Sequence, residues 1–336
     1  MQTEVATLLN TFSPAPSNGR LAIPSWAAEL CPHPGQPGQP KQRELKGQHL
    51  RATMRIHSGP CHNLVSLTLT EIGLLAAADF QSAVTAAYIA VLSSLAKTES
   101  PHPIRMWNFI GSIHQPMGPG IDRYRVFNTG RFDAFSQISR TPAADCTSMF
   151  CVGLPAASGV GHRADALTIH ALGARSPGIA IENPWQVPAF AYSTAHGPRP
   201  PCFSRAVVSQ LQRSHRSHAD GPTLLVSGTA SIRGEDSTHA NDLPAQFDET
   251  TENIKRLADS IKHPCRFALA GLETARIYYS RVADGPWLRQ AARSRFGPTA
   301  AIELVPASIC RAELLVEIEA TIAASGIDKR TRGLGA

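Results

Sequence analysis

Hydrophobic and polar residues follow one order of patterns twice along this chain. Alternation of apolar and polar residues predicts strands, whereas apolar residues three and four positions apart predict amphipathic helices. In the first half we predict strands at 50–57, 64–71, 104–114 and 166–174, and helices at 79–97 and 128–138. Asp79 is the expected N-cap of the longer helix.

The second half repeats that order. We predict strands at 206–210, 224–232, 267–279, 301–306 and 313–322, and helices at 248–261 and 286–296. Asp248 is the expected N-cap of the first of these helices, and Pro286 suits the first turn of the second. A repeated order of this kind predicts an α+β fold of two tandem domains, each a mixed sheet with helices on one face.

Composition places the domain boundaries. Residues 1–47 are rich in Pro, Gly and Gln, which predicts an N-terminal arm that is extended or forms an irregular cover. We expect an N-terminal domain at 48–175, a Pro- and Gly-rich linker at 176–201, and a C-terminal domain at 202–330 that carries most of the candidate chemistry.

Charge and cysteine content narrow the functional classes. The net charge is +6, but the basic residues are scattered, which argues against nucleic acid and favours a small anionic substrate in a cleft. Seven cysteines without a CxxC pair predict reduced thiols, and we expect no metal site. The first residues lack a signal-peptide pattern, and the apolar stretch 84–96 is too short to span a membrane. We therefore expect a cytoplasmic protein without membrane contact.

Motifs in the second half resemble those of the Rid/YjgF superfamily. They are Ser227-Gly228-Thr229-Ala230 after a strand, Gln246 and Glu249-Thr250 near a helix start, and the closing strand at 315–320. The resemblance implies that both domains have the Rid/YjgF-like, chorismate-mutase-like fold. It also implies that Glu317 faces a ligand cleft between neighbouring domains.

The whole chain resembles the chorismatase family, whose members carry two Rid-like domains. Five segments carry this resemblance, at 124–131, 181–189, 197–206, 227–232 and 309–317. The chain departs from the family pattern at Trp185, where Arg is usual, and at Ala195-His196, where Tyr is common. The resemblance implies an enzyme without metal or organic cofactor, which converts chorismate to pyruvate and 3-hydroxybenzoate or 4-hydroxybenzoate. The resemblance leaves two oligomeric states open, a monomer and a homotrimer.

Chorismate carries two separated carboxylates and an enol ether, so its enzyme needs cations at two points and an acid. We expect Arg131 and Arg205 to bind carboxylates, because the guanidinium fork donates two parallel hydrogen bonds. Tyr124 and Thr229 are the expected neutral donors. Either arginine could instead be an ordinary interface residue.

Glu317 is the candidate acid, since it lies in an apolar strand where desolvation raises a carboxyl pKa. The alternative is an exposed edge-strand carboxylate, but the motif favours catalysis. Cys310, seven residues earlier, is expected to shape the catalytic pocket rather than to act as a nucleophile, although a buried Cys often only packs. Cys310 and Ala230 together favour hydroxybenzoate formation.

Polar side chains outside this set leave two interpretations open. Gln246, with Asn183 and Gln186, either binds the ring hydroxyl of the substrate or caps backbone groups.

Several functions compete with the hydroxybenzoate-forming reaction. In that reaction the ring hydroxyl displaces the enolpyruvyl group through an epoxide-like intermediate. A hydrolase of the same family would use water and give a dihydroxycyclohexadiene carboxylate. A Rid-like imine deaminase would usually carry an Arg near 298–301, where this chain has none. A non-catalytic metabolite-binding protein would share the fold without the activity.

Overall fold

The computed structural model describes residues 21–34, 50–139, 153–211 and 221–327. The first half contains α1 (Ser25–Leu30), β1 (His33–Pro34), β2 (Arg51–Ser58), β3 (His62–Thr70), α2 (Ala77–Leu95), β4 (His102–Gly111), β5 (Pro116–Gly118), β6 (Ile121–Asp122), α3 (Arg123–Ser139), β7 (Ala156–His162) and β8 (Ala166–Ala174).

The second half contains β9 (Ile179–Ile181), β10 (Ala206–Gln210), β11 (Pro222–Ala230), β12 (Ile232–Arg233), β13 (Asp236–Ser237), α4 (Leu243–Asp259), β14 (Cys265–Arg266), β15 (Leu272–Tyr279), α5 (Gly285–Phe296), β16 (Ala301–Pro306), β17 (Val316–Ala323) and β18 (Ser325–Ile327). Short 3₁₀ turns lie at Ala189–Ala191, Thr194–His196, Leu269–Gly271 and Val282–Asp284.

Two six-stranded sheets have the same topology. The first has the order β1-β2-β3-β8-β4-β7, and the second has the order β9-β10-β11-β17-β15-β16. In each sheet the last pair is parallel and the other neighbours are antiparallel. The predicted α+β fold of two tandem domains is therefore confirmed, while the domain boundaries stay a prediction. Strand β9 lies within the segment expected to be a linker and extends the second sheet.

The two sheets face each other, and the long helices cover their outer faces. Helices α2 and α3 bury Phe80, Tyr88 and Phe135 against the first sheet, and α4 and α5 bury Phe247 and Leu288 against the second. A third apolar cluster fills the space between the sheets; its members include Trp107, Phe109, Leu172, Leu225, Tyr278 and Ile309. Burying these apolar surfaces is the main force that holds the layers together. None of the described helices is both long and apolar enough to cross a membrane.

Part of the N-terminal arm forms a helix that packs on the domain interface. Helix α1 buries Ala27 and Leu30, and the ring of Trp26 lies 5.8 Å from that of Trp107. The arm is thus a structured cover within residues 21–34. Residues 1–20 and 35–49, which complete the expected arm and its join to the first domain, lie outside the described residues.

Both predicted N-caps are wrong. Helix α2 begins at Ala77 after Ala76, without a side-chain cap, so Asp79 lies within the first turn. Helix α4 begins at Leu243, where the Asp242 carboxylate accepts a hydrogen bond of 3.0 Å from the Ala245 amide. Asp248 lies inside α4 and pairs with Arg295 instead. Helix α3 also begins earlier than expected, at Arg123, because the buried guanidinium of this residue donates to the Gly111 carbonyl at 2.7 Å.

A buried ion pair joins the two domains. Arg105 of β4 and Glu319 of β17 are almost fully buried, and their side chains meet at 2.7 Å. Trp107 donates to Glu319 at 2.9 Å and Ser158 donates at 2.5 Å, so three donors from the first domain converge on one carboxylate of the second. At the edge of the same interface, the backbones of Gly161 and Ser308 exchange two hydrogen bonds.

We expect Arg105→Ala to lower the free energy of unfolding by about 3–5 kcal/mol, because it leaves the Glu319 carboxylate buried without its cation. The matched control is Arg51→Ala, which breaks the exposed Arg51–Glu71 pair and is expected to change stability by less than ~1 kcal/mol. Urea unfolding of both variants at pH 7 measures the difference. Equal, small effects would show that the interface does not depend on the buried pair.

Candidate active site

A cavity of about 670 Å³ opens between the two domains, and it brings most of the predicted site residues together. Its walls come from α3 and β7 of the first domain, from β11 and β17 of the second, and from the segments 192–205 and 310–314. The predicted residues that line it are Tyr124, Arg131, Arg205, Ala230, Cys310 and Glu317. A space of this size suits a small organic molecule.

Glu317 is buried at the inner wall of the cavity. Its side chain is only 4% exposed, and Oε1 has no hydrogen-bond partner among the described residues. The pKa of Glu317 is raised to about 8; burial is the largest cause, the negative charge of Glu319 adds to it, and the positive charge of Arg105 opposes both. The carboxyl group is therefore protonated near neutral pH and can act as an acid.

Because Gly228 has no side chain, the Glu317 carboxyl group can occupy the space beside it. The pairing of β11 with β17 is interrupted by a bulge between Val226 and Thr229, and Gly228 lies within it. A Cβ atom at Gly228 would lie 2.0 Å from Glu317 Oε1, which no side chain could tolerate without displacing the carboxyl group. Bulges of this kind often re-aim side chains at a site.

Ser227 fixes the bulge against the first domain. Its hydroxyl donates to the Ser204 carbonyl at 2.6 Å and accepts from the Ala157 amide at 2.8 Å, and its own amide donates to the Arg205 carbonyl. These contacts place Gly228 and Arg205 on adjoining parts of one wall.

Two buried arginines lie in the cavity wall without an anionic partner. Arg131 donates to Asn128 at 2.9 Å, and Arg205 donates to the Val187 carbonyl and the Tyr192 hydroxyl, each at 2.8 Å. Within the described parts of the chain neither has a carboxylate at salt-bridge distance, and each Nε atom is buried without a hydrogen bond. The two guanidinium groups are thus available for anionic groups of a ligand.

The ring of Phe203 lies between these two arginines. Its centroid is 5.8 Å from the guanidinium carbon of Arg131 and 5.6 Å from that of Arg205. The aromatic face stabilises both cations and keeps them apart, so two separated anionic groups fit better than one.

Tyr124 and Cys310 face the same space in their neutral forms. Burial raises the pKa of the Tyr124 phenol above its usual range, so the hydroxyl can donate a hydrogen bond. Burial also raises the pKa of the Cys310 thiol to about 12, with a further contribution from Glu317. A thiol of this kind is a poor nucleophile, which agrees with an expected role in shaping the pocket.

Thr229 and Gln246 do not line the cavity. The Thr229 hydroxyl donates to the Ser227 carbonyl at 2.9 Å. The Gln246 amide donates to the carbonyls of His239 and Glu313, and its oxygen accepts from the Leu315 amide at 2.7 Å. Gln246 therefore holds the segment that leads from Cys310 to Glu317, and the donor hydrogens of both side chains are engaged within the protein.

Asn183 and Gln186 also serve the backbone. Asn183 donates to Gln186 and to the Asn253 carbonyl, and Gln186 donates to the Ile232 carbonyl at 3.1 Å. Of the two interpretations left open by the sequence, these contacts favour the capping of backbone groups.

The two departures from the family pattern lie in different places. Trp185 is 64% exposed and packs on Arg256 away from the cavity. His196 lines the cavity, where its ring lies 5.3 Å from that of Tyr192 and its Nε2 lies 3.7 Å from Asp236.

Several cavity residues escaped the sequence analysis, among them Ser158, Tyr192, Phe203 and Arg311. Ser158 lies in a Gly-rich segment with weak strand character, which pairs with β4 and becomes β7. Tyr192 lies in the expected linker, where no periodic pattern marks it. Glu319, which lies behind the cavity wall, could have been noticed from the sequence. It is two residues from Glu317, and residues two apart on a strand lie on the same face.

Comparison with known proteins gives one consistent result. Residues 47–173 match the family model described as chorismatase FkbO/Hyg5-like, N-terminal. A 3-hydroxybenzoate synthase from Streptomyces hygroscopicus is 35% identical over 249 residues, which are 72% of this chain and 70% of that protein. A chorismatase from Streptomyces rapamycinicus is 30% identical over 250 residues, 73% of this chain and 71% of that protein. A chorismatase crystal structure matches with a TM-score of 0.68 and 27% identity, covering 86% of this chain and 80% of that one.

We expect the buried Glu317 to make stability depend on pH. Its pKa is raised from 4.5 to about 8 in the folded protein, so between these values the folded state holds a proton that the unfolded state has released. The free energy of unfolding therefore falls as pH rises from about 5 to 8, by an amount on the order of a few kcal/mol.

The measurement is urea unfolding of the wild type and Glu317→Gln across this pH range. The wild type should lose stability relative to Glu317→Gln as pH rises, whereas Glu29→Gln, at an exposed position, should follow the wild type. Parallel curves for the wild type and Glu317→Gln would contradict a protonated Glu317.

Proposed function

The chain belongs to the chorismatase family, and from this premise we propose that it converts chorismate to pyruvate and a hydroxybenzoate. The observation that carries this proposal is the cavity itself, which holds a protonated Glu317 together with two buried arginines that have no carboxylate at salt-bridge distance among the described residues. The 35% identical relative is named a 3-hydroxybenzoate synthase, so 3-hydroxybenzoate is the first aromatic product to seek and 4-hydroxybenzoate the second.

Arg131 and Arg205 would bind the two carboxylates of chorismate, one on the ring and one on the enolpyruvyl group. Both are nearly fully buried, so charge-assisted hydrogen bonds to them are stronger than at the surface. Tyr124 would add a neutral hydrogen bond. Two cations held apart by Phe203 would also restrict the orientation of the substrate, because both carboxylates must be paired at once.

Glu317 would donate its proton to the methylene carbon of the enolpyruvyl group. As the bond between ring carbon and ether oxygen breaks, the fragment leaves as pyruvate and the neighbouring ring hydroxyl oxygen bonds to the vacated carbon. The Glu317 carboxylate then accepts the hydroxyl proton, and opening of the strained ring with aromatisation gives the hydroxybenzoate. Chorismate supplies every atom of both products, so neither water nor an oxidant is required.

Attack by water is the competing reaction, and it would give pyruvate and a dihydroxycyclohexadiene carboxylate. Two wall residues beside Glu317 are Ala230, its pairing partner across β11 and β17, and Cys310, and their side chains offer water few strong hydrogen bonds. These two side chains support the intramolecular route over hydrolysis.

We expect Glu317→Gln to lower kcat for chorismate turnover by about 10²–10⁴-fold, since the amide has no acidic proton. The assay quantifies pyruvate, 3-hydroxybenzoate, 4-hydroxybenzoate and the dihydrodiol, with Glu29→Gln as an exposed control that retains activity. Wild-type turnover should also fall as pH rises through about 8, where Glu317 loses its proton.

The products decide between the alternatives. Equal amounts of pyruvate and hydroxybenzoate support the proposed reaction, whereas the dihydrodiol would identify a hydrolase. If chorismate stabilises the protein against heat without being consumed, the chain is a metabolite-binding protein. If it neither binds nor reacts, imine deamination becomes the next activity to test.

We expect Arg131→Met and Arg205→Met each to raise KM for chorismate by at least tenfold, because each removes one charge-assisted contact to a carboxylate. Arg256→Met serves as the matched control, since Arg256 packs on the exposed Trp185 outside the cavity. Steady-state kinetics at pH 7 measure the effect. An unchanged KM in both cavity variants would show that the two arginines do not bind the substrate.

A further inference from the structure

Glu319 lies directly behind the cavity wall, and the mechanism above does not use it. It belongs to the same strand as Glu317, two residues further on, so the two side chains lie on one face of the strand. Their Cα atoms are about 6–7 Å apart along the strand. Glu319 is only 3% exposed and does not line the cavity. A buried carboxylate so near a catalytic acid needs a physical explanation.

The first domain holds Glu319 as an anion. Oε2 accepts hydrogen bonds from Arg105 at 2.7 Å, Ser158 at 2.5 Å and Tyr278 at 3.3 Å, and Oε1 accepts from Trp107 at 2.9 Å. Three of these four donors come from the first domain. A carboxylate saturated by donors and paired with a guanidinium keeps its negative charge, whereas Glu317 Oε1 has no donor within the part of the chain that the structure describes.

Ser158 links this group to the cavity. Its hydroxyl accepts from Arg105 at 2.6 Å while it donates to Glu319, and its side chain also forms part of the cavity wall. The Cβ position of Gly228, which lies 2.0 Å from Glu317 Oε1, is 3.0 Å from Ser158 Oγ. The Ser158 hydroxyl is therefore close to Glu317, but both of its strong interactions are directed to Arg105 and Glu319.

We propose that Glu319 is a positioning residue for the acid Glu317, and that it acts through a fixed negative charge which the first domain anchors through Arg105, Trp107 and Ser158. This inference rests on the proposed function, in which Glu317 must be protonated to react. The nearby negative charge disfavours ionisation of Glu317, so Glu317 keeps its proton at neutral pH. The two domains must be assembled for the charge to be in place.

The other titratable groups around Glu317 are positively charged or neutral. Arg105 of β4 carries the opposing positive charge, Tyr278 of β15 and Tyr124 of α3 are neutral phenols, and the Cys310 thiol is neutral. Burial itself is the largest contribution to the protonated state of Glu317, and Glu319 is the next.

The test compares the pH dependence of kcat/KM in Glu319→Gln with that of the wild type. Removing the negative charge also leaves Arg105 uncompensated, and both changes favour ionised Glu317. The alkaline limb of the profile should therefore move to lower pH by about one to two units. In the double variant Arg105→Met with Glu319→Gln the limb should move by less, because both charges are gone. A purely structural role would lower kcat/KM at every pH and leave the limb in place, which would overturn the proposal.

A second readout does not depend on turnover. Infrared difference spectra between wild type and Glu317→Gln report the protonated carboxyl of Glu317, and a pH titration of this band gives its ionisation in each background. A band that titrates at lower pH in Glu319→Gln supports the proposal even if chorismate is not the substrate, and an unmoved titration overturns it. If Glu319→Gln fails to fold, the double variant, which removes the buried pair as a unit, carries the measurement: its band should still titrate below that of the wild type, because Glu319 raises the pKa of Glu317 more than Arg105 lowers it, and an unmoved or raised titration overturns the proposal.

Discussion

The buried contact between Arg105 and Glu319 is the interaction on which the arrangement of the two domains depends. Removing both ions from water costs several kcal/mol each, and that cost is offset only when the guanidinium and the carboxylate meet with their other hydrogen bonds satisfied. Here they meet at 2.7 Å, and Trp107, Ser158 and Tyr278 complete the shell around the carboxylate. Apolar contacts between the sheets have no preferred direction, so they would allow one sheet to slide over the other. The ion pair and its hydrogen bonds are directional and therefore fix the position of one sheet relative to the other.

The cavity follows from that register. It places β7 of the first domain beside the bulge in β11, so that helix α3 supplies Tyr124 and Arg131 to a wall whose other side is β17. Two carboxyl groups on β17 then have opposite environments: Glu319 is surrounded by donors, and Glu317 Oε1 has none from residues 21–34, 50–139, 153–211 and 221–327. Because their surroundings differ, the two identical side chains differ in protonation state. One strand thereby provides both an acid, Glu317, and a fixed negative charge, Glu319.

Periodicity predicted the regular part of the fold well. The strands at 166–174, 206–210 and 301–306 have the predicted bounds, because each alternates or runs apolar in a sheet with a defined face. Strand β7 was missed since its sequence, rich in Gly and Ala, has little strand propensity and becomes a strand only by pairing with β4. The helix starts were misplaced because Asp79 and Asp248 have the character of caps, whereas α4 is capped by Asp242 and α2 begins after Ala76 without a side-chain cap.

The site was only partly accessible from sequence, and the reason is physical. Glu317 could be found because a motif and an apolar strand both point to it, and the structure places it in the cavity. Glu319 shares a strand face with Glu317 and could have been noticed, but Arg105 could not, because a charged residue in a strand is ordinarily exposed and the burial of Arg105 depends on a partner more than 200 residues away. Gln246 belonged to the recognised motif, yet its three hydrogen bonds serve the backbone.

Gly228 has a consequence for how this family can change over time. Because the acid occupies the volume where a side chain at Gly228 would begin, the two positions are bound to each other in evolution. A larger residue at the bulge would force the Glu317 carboxyl group out of its present position, so a chain that keeps the acid in this place is expected to keep Gly228 as well. Replacement of the carboxyl group by a smaller side chain would instead open the glycine position to variation.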